Sequence, residues 1–389
     1  MSRPKKSKAV PIVLVLTILI AALAVLCFLI NPLVIQPKRD AIAKANEAAK
    51  AEVEQHNQEI MNQYQLRLSE LEREANTPTY PDWPEPKQEG WDLVDLSNIP
   101  LENQISVPGT RAELMTKGML LVNPWHARPA DFNEQGVISV AKAYKGDDKI
   151  QAKDNNVTLF ENAIAALHEA LVAAKKEGYT HYLVEEGFRT YAKQEEYYKN
   201  KMSKLASKYE GTALEEATKK EVNEPGHSEY NSGLAFELRL YDRNDADVAV
   251  PKYSTTPEAK WMNEHCWEYG IVFRFPQNGW PLESYTDKSF KTGVSMKLNV
   301  YRYVGKGNAA IMHYMDFTME EYIEYLAEHP HIALFKDGKL MYEVYRQYVG
   351  DANEFNIQLT GKISDYESSL DNMGAIITVF NNRIVTDNQ

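Results

Sequence analysis

One segment near the N-terminus constrains this chain more than any other. From Val10 to Ile30 no charged residue interrupts the apolar side chains. A helix of about 20 such residues is long enough to cross roughly 30 Å of hydrocarbon. The residues before it include four basic and no acidic side chains, Arg3, Lys5, Lys6 and Lys8. The positive-inside rule therefore predicts a cytoplasmic basic tail over residues 1–9 and a transmembrane helix over residues 10–31.

Two other interpretations of this segment fit less well. A cleaved signal peptide has a shorter apolar core and a small-x-small cleavage site, and no good site lies near Ile30. A lipoprotein signal needs a small residue just before the cysteine, whereas Leu26 precedes Cys27 and the apolar sequence continues beyond it. We therefore expect an uncleaved, single-pass anchor with the C-terminal part of the chain outside the cell.

The next two segments predict a stalk and a linker. Residues 38–76 are rich in Ala, Glu, Gln, Lys and Arg and contain neither Gly nor Pro, which favours one long helix. Its apolar side chains form a thin stripe with imperfect heptads, so a coiled-coil homo-oligomer and a solvated single helix both remain open. Residues 77–112 are rich in proline and predict a semi-extended linker. The stripe consists of Val53, Ile60, Tyr64, Leu68 and Leu71.

Charge and cysteine content exclude two classes of protein. The formal net charge is −12 although the N-terminal tail is basic, so the rest of the chain is strongly acidic. An acidic body argues against a nucleic-acid partner, because the phosphate backbone attracts clustered Lys and Arg. Of the 2 cysteines, Cys27 lies in the apolar run and Cys266 far from it. We therefore expect no disulfide framework.

The pattern beyond about Leu120 is typical of a mixed domain. Amphipathic and apolar stretches alternate, and the sequence then changes to short strand patterns with turn signals such as Lys336–Lys339. We expect a domain over residues 113–328 and a small β-rich C-terminal appendage over residues 329–389. The predicted helices are 158–178, 191–209, 257–269 and 318–328, and the predicted strands are 181–186, 233–241 and 270–275.

Four segments in order carry the strongest functional signal. They are LVNP at 121–124, GFRTYAKQ at 187–194, PGHSEYNSGLAFEL at 225–238, and a last one that runs from Trp261 through YGIVFRFP at 269–276 to KLNVYRYVG at 297–305. Together they resemble the VanY-type D-alanyl-D-alanine carboxypeptidases, within the wider group that includes lysostaphin-like peptidases. The resemblance implies an α+β fold of the Hedgehog/D-Ala-D-Ala-peptidase type, with an antiparallel sheet and packed helices, at a bacterial cell surface.

The resemblance also implies a zinc site, and this chain departs from it at every position. In the family, Ser-x-His-x-x-Gly-x-Ala-x-Asp and a later Glu-x-x-His supply three ligands and the base that activates a metal-bound water. Here the first ligand position holds Tyr230 and the second holds Glu237. The base position holds Lys297 and the last ligand position holds Val300.

Each departure has a chemical consequence. Valine has no lone pair for a metal, and tyrosine is a poor zinc ligand unless it loses a proton with a pKa of about 10. Glu237 could ligate, but it reaches one methylene further than Asp. Lys297 is the most informative change, because an ammonium repels Zn²⁺ and a protonated amine cannot act as a base. We therefore expect no cofactor and no hydrolysis by the family mechanism.

A rebuilt metal site has few candidate ligands. His227 lies three residues before the first ligand position, so in an extended segment it points to the other face. His265 and His313 lie in segments with helical patterns. A lone histidine is more often a structural residue than a ligand, and we expect no replacement site. We expect instead that Lys297 and Glu237 form an ion pair where the metal would be.

The substrate side of the site is better preserved. In the family, the Arg of the Gly-aromatic-Arg motif faces the cleft, and here it is Arg189; Gln194 and Ser228 match positions that line the same cleft. Arg suits carboxylate recognition because its fork donates two parallel hydrogen bonds. These residues could equally persist as scaffold contacts.

The sequence predicts a membrane-anchored pseudo-enzyme that binds peptidoglycan stem peptide or a cell-wall protein partner. Two alternatives are an active D,D-carboxypeptidase with a rearranged metal site and a purely structural stalk protein.

Overall fold

A computed structural model of the chain describes residues 9–76, 89–294, 297–361 and 365–381. The chain divides into two compact units, residues 1–82 and 83–389. In the first unit, helix α1 (Ala9–Ile30) continues through a π-helical turn (Asn31–Ile35) into helix α2 (Gln36–Asn76). Among the described residues, this helix alone is long and apolar enough to cross a membrane. Residues 1–8 of the predicted tail lie outside the described residues.

The stalk is helical, as the sequence predicts. Val53 and Ile60 are exposed, whereas the side chains of Tyr64, Leu68 and Leu71 lie outside the described residues. The choice between a coiled coil and a single helix therefore stays a prediction.

The second unit contains thirteen strands and nine helices within the described residues. The strands are β1 Trp91–Asp95, β2 Ile105–Thr110, β3 Ile138–Ser139, β4 Thr158–Leu159, β5 Tyr182–Glu186, β6 Ala235–Leu240, β7 Ile271–Phe273, β8 Val300–Tyr303, β9 His331–Lys336, β10 Lys339–Tyr348, β11 Glu354–Leu359, β12 Tyr366–Leu370 and β13 Ala375–Asn381. The helices are α3 Arg111–Leu114, α4 Val140–Ala143, α5 Glu161–Lys176, α6 Tyr191–Leu205, α7 Gly211–Glu221, α8 Pro257–His265, α9 Ser289–Thr292, α10 Lys306–Met315 and α11 Met319–Glu328.

A four-stranded antiparallel sheet, in the order β5-β6-β8-β7, forms the centre of the domain. Helix α5 packs its apolar face, including Ile164 and Leu167, into a core shared with Phe236 of β6 and Tyr301 of β8. Burial of that face stabilises the helix against the sheet, since each fully buried large side chain contributes about 1.5–3 kcal/mol. The predicted α+β fold with an antiparallel sheet and packed helices is confirmed.

A second sheet, in the order β1-β9-β10-β13-β12, corrects two sequence predictions. Residues 77–112 are not all linker: β1 pairs with β9, β2 pairs with β11, and residues 77–88 lie outside the described residues. The described part of residues 329–389 does form strands, but not an appendage, because Ile332 and Val379 share a core with Met119 and Met312. Short strands whose partners are more than 200 residues away give no local signal of their pairing.

Local chemistry fixes the element ends that border the site. Thr318 caps α11 by accepting from the backbone N–H of Glu321, and the Glu321 carboxylate accepts the N–H of Thr318 in return. The predicted helix 257–269 ends at His265 and continues as a 3₁₀ turn to Tyr269. Gly270 closes that turn at φ +79°, and an added Cβ would lie 2.9 Å from the Gly305 carbonyl carbon.

Candidate functional site

The four positions of the family's zinc motif converge in the fold. A 3₁₀ turn over Glu229–Ser232 presents Tyr230, and β6 carries Glu237. Val300 of β8 is the antiparallel partner of Glu237, so the two side chains lie on one face of the sheet. Lys297 precedes β8 and reaches the same place. The fold therefore brings together the residues at these four motif positions.

A chain of polar contacts joins three of these side chains. Tyr230 Oη donates to Glu237 Oε2 at 2.8 Å, and Lys297 Nζ donates to Tyr230 Oη at 3.3 Å. The Lys297 Nζ to Glu237 Oε2 distance is 3.9 Å, which confirms the predicted ion pair. The pair is not deeply buried, since the side chains of Lys297 and Glu237 are 43% and 25% exposed. Asn299 completes the arrangement by donating from Nδ2 to Glu237 Oε1 at 3.0 Å.

The fourth position is filled by hydrocarbon. Val300 is fully buried in a small apolar cluster with Tyr230 and Phe275. Burial raises the pKa of Tyr230 well above its usual range, and the Glu237 carboxylate raises it further. Tyr230 therefore keeps its proton and serves as a hydrogen-bond donor to Glu237.

These side chains do not fit a zinc ion. Three of the four positions cannot bind it, because they hold a protonated tyrosine, a valine and a lysine ammonium. Glu237 is the single ordinary ligand that is left. Within the described ranges, which omit residues 295–296 and 362–364, no group of three or more His, Cys, Asp or Glu side chains is arranged to hold a metal.

The histidines considered as replacement ligands make other contacts. His227 Nδ1 lies 3.3 Å from the Asn123 carbonyl oxygen, and His265 Nδ1 lies 2.9 Å from Glu268 Oε1. His313, in α10, stacks on Trp267 with a ring-centroid distance of 4.7 Å.

A cleft of about 800 Å³ opens beside Lys297 and Tyr230. The predicted cleft residues Arg189, Gln194 and Ser228 all line it. Ser228 is buried and its backbone N–H donates to Asn231 Oδ1 at 3.2 Å. The rim adds cationic and aromatic side chains that the sequence did not indicate, among them Lys219, Lys220, Tyr197 and Phe290.

Arg189 is held rigidly in the cleft wall. Its guanidinium carbon lies 4.7 Å from the Tyr197 ring centroid and 4.6 Å from that of Tyr230. One terminal nitrogen donates to Gln194 Oε1 at 2.8 Å, and the other lies 3.2 Å from Glu186 Oε2. Within the described part of the chain, the buried Nε has no hydrogen-bond partner. Arg189 thus keeps donors available beyond those it uses to fix its orientation.

Beneath the cleft lies a buried charge network that the sequence reasoning missed. Glu229, which lines the cleft floor, pairs with both Arg274 and Arg302, with Arg274 Nε donating to Glu229 Oε2 at 2.6 Å. Arg274 also donates two hydrogen bonds, of 3.0 and 2.6 Å, to the Glu320 carboxylate of α11. Two carboxylates and two guanidiniums, all almost fully buried, make the group neutral.

The network ties the cleft floor to the rest of the fold. Arg302 Nη2 donates to the carbonyl oxygens of Gly118 and Leu120 at 2.6 and 2.9 Å, and Asn123 Nδ2 donates to Glu320 Oε1 at 3.0 Å. Burial alone would raise the pKa of Glu320, but the Arg274 guanidinium, together with hydrogen bonds from Asn123 and the backbone, holds that pKa below its ordinary value. The carboxylate is therefore ionised and fully bonded.

Comparison with known proteins agrees with this fold. Residues 156–294 match the family model of VanY, a D-alanyl-D-alanine carboxypeptidase. Over 287 residues the chain is 25% identical to a D-alanyl-D-alanine carboxypeptidase of Enterococcus faecium, spanning 72% of this chain and 82% of that protein. It is 28% identical over 206 residues to the putative carboxypeptidase YodJ of Bacillus subtilis, spanning 53% of this chain and 67% of that protein.

One solved structure supports the fold directly. The vancomycin-resistance D,D-dipeptidase VanXYg, in complex with a D-Ala-D-Ala phosphinate analogue, superposes with a TM-score of 0.52 at 19% identity. The match covers 72% of this chain and 99% of that one, so it includes elements beyond the residues matched by the family model.

Proposed function

We propose that the protein binds the stem peptide of peptidoglycan without hydrolysing it. The proposal proceeds from the domain of the VanY D-alanyl-D-alanine carboxypeptidase family that this chain carries. The apolar helix α1 would anchor it in the bacterial cell membrane as a single-pass protein, with the N-terminus inside and the peptidase-like domain outside. The bound peptide would then make it a sensor, scaffold or regulator of cell-wall metabolism.

The single observation that carries the proposal is the contact chain from Lys297 through Tyr230 to Glu237. Its three residues stand at motif positions that the family uses for metal ligands and the base, and the buried Val300 stands at the fourth. No side chain among these four is suited to activate water, because Glu237 is already engaged by three donors.

The cleft supports binding because its arginine is preorganised for an anion. Arg189 is stacked between two tyrosine rings, and each of its terminal nitrogens has a second N–H beyond the one directed at Gln194 or Glu186. A peptide C-terminal carboxylate matches the planar fork of a guanidinium. Holding Arg189 in place before binding lowers the conformational entropy lost when the peptide binds.

Titration of the detergent-solubilised full-length chain with a stem pentapeptide ending in D-Ala-D-Ala tests the proposal. We expect saturable binding with no release of D-Ala. Arg189→Ala should weaken binding about tenfold or more, since a charge-assisted bond to an ion is worth about 1.5–3 kcal/mol. The same pentapeptide with an amidated C-terminus should also bind weakly to the unmodified chain. Its affinity should match that of the free-carboxylate pentapeptide for Arg189→Ala.

The matched control is Lys199→Ala, a charge removal on the exposed part of the same helix, α6. Sustained D-Ala release would favour an active carboxypeptidase with a rearranged site. Absence of binding to the unmodified chain would shift the function to a protein partner.

A further inference from the structure

A second cavity, of about 500 Å³, lies on another part of the domain and shares no lining residue with the cleft. Helix α5 forms one wall, the end of β8 and the start of α10 form another, and β10 and β12 close it. We call it the tyrosine–carboxylate cavity, after Tyr269, Tyr303, Tyr342, Glu169, Asp365 and Glu367.

The charges around this cavity do not balance. Among the described residues that line it, Lys306 is the one cation, and its Nζ lies 2.8 Å from Glu169 Oε2. Asp365 accepts a weak bond of 3.3 Å from Asn381. Glu367 makes no hydrogen bond or ion pair with a described residue, and burial together with the Asp365 carboxylate raises its pKa. For the described lining residues, three carboxylates and one ammonium give a formal charge of 1 − 3 = −2.

A hydroxyl that makes no hydrogen bond with a described residue also faces this cavity. The Tyr303 side chain is only 8% exposed, it lines the cavity, and within the described part of the chain its hydroxyl makes no hydrogen bond. Burial raises the pKa of Tyr303, and the nearby Glu367 and Glu169 carboxylates raise it further. The hydroxyl reaches the cavity and is therefore free to bond to a ligand there.

We propose that the tyrosine–carboxylate cavity binds a primary alkylammonium group. Such a group brings one positive charge and three N–H donors, which match the unpaired carboxylates and the Tyr303 hydroxyl. The rings of Tyr269 and Tyr342 offer apolar cover for the alkyl chain and π-faces for the cation. A bare metal ion suits the place less well, because no described group of three acidic or imidazole side chains is arranged around one point.

Saturation-transfer NMR on the detergent-solubilised full-length chain tests the proposal with three probes. These are 1,5-diaminopentane, a lysine capped as its N-acetyl methylamide, and 1-pentanol as a neutral counterpart. We expect saturable binding of at least one amine, with a Kd on the order of 1 mM, and none of the alcohol. Binding of the diamine alone identifies a free polyamine as the source, and binding of the capped lysine identifies a peptide side chain.

Two conservative variants locate the site. Glu367→Gln should weaken amine binding about fivefold or more through loss of the charge, and Tyr303→Phe should weaken it about threefold through loss of one hydrogen bond. Glu328→Gln makes the same charge change at an exposed position outside the cavity and should leave binding unchanged. Circular dichroism melting curves would show whether each variant keeps its fold.

Three results would overturn the proposal. The first is equal binding of pentanol and the amines, and the second is the absence of saturation for both amines. The third is an equal loss of affinity in Glu328→Gln and Glu367→Gln, which would show a diffuse effect of net charge.

Discussion

At the residue scale, two sets of charges with different surroundings meet at the cleft. Lys297 and Glu237 form a half-exposed pair, and such pairs typically contribute about 0–1 kcal/mol. Glu229, Arg274 and their partners form a buried set, where loss of one member leaves a charge without compensation. The buried set therefore governs the stability of the site, and the exposed pair governs its chemistry.

Replacing one buried member tests this difference. Glu229→Gln keeps the size of the side chain but leaves Arg274 and Arg302 with one carboxylate between them. We expect the free energy of unfolding of the second unit to fall by about 3–5 kcal/mol, as measured from its urea unfolding transition. Lys291→Gln, which breaks the more exposed pair with Glu324, should cost less than about 1 kcal/mol. Equal effects of the two changes would refute the distinction.

The sequence could predict the site residues but not what supports them. Ordered motifs placed Tyr230, Glu237 and Lys297 in one site, because each motif position has a fixed place in the fold. The pairing of Arg274 with Glu320 depends on how α11 packs against the end of β7, and no local pattern encodes it. Buried arginine and glutamate are indistinguishable in sequence from solvated ones.

At the element scale, β1 shows how a proline-rich composition hides a strand. The predicted linker contains β1, which pairs along its whole length with β9 and buries Trp91 and Leu93. Pro108 lies in β2, which pairs with β11 in a two-stranded sheet, so one edge of β2 has no partner among the described strands. Proline is tolerated in such an edge strand because the N–H that it lacks is not needed for pairing at the open edge. Tertiary pairing thus decides the structure of a segment whose local propensity is weak.

Leu93→Ala tests whether β1 belongs to the core. Leu93 is buried beside Met119 and Leu334, so truncation should lower the free energy of unfolding by about 2–5 kcal/mol. Ile99→Ala, at a largely exposed position nearby, should change it by less than about 0.5 kcal/mol. Thermal or urea unfolding of the two variants measures this difference. An unchanged free energy of unfolding in Leu93→Ala would restore the linker interpretation.

At the scale of the whole molecule, the domain's two larger sheets are joined by continuous packing. One apolar cluster contains both Val304, next to the cleft sheet, and Ile332 of the second sheet. The C-terminal strands therefore help to build the peptidase-like domain. The membrane passage of α1, the oligomeric state of the stalk and the wall-facing orientation remain predictions from composition and from the family.

The zinc content of the purified full-length chain, after incubation with excess Zn²⁺ and desalting, tests the central claim most directly. We predict less than about one tenth of an equivalent retained, because one ordinary ligand cannot hold the ion. A variant with all four positions restored to the family pattern, Tyr230→His, Glu237→Asp, Lys297→Glu and Val300→His, should retain about one equivalent if it folds. One equivalent of zinc on the unmodified chain, lost on Glu237→Ala, would contradict the account.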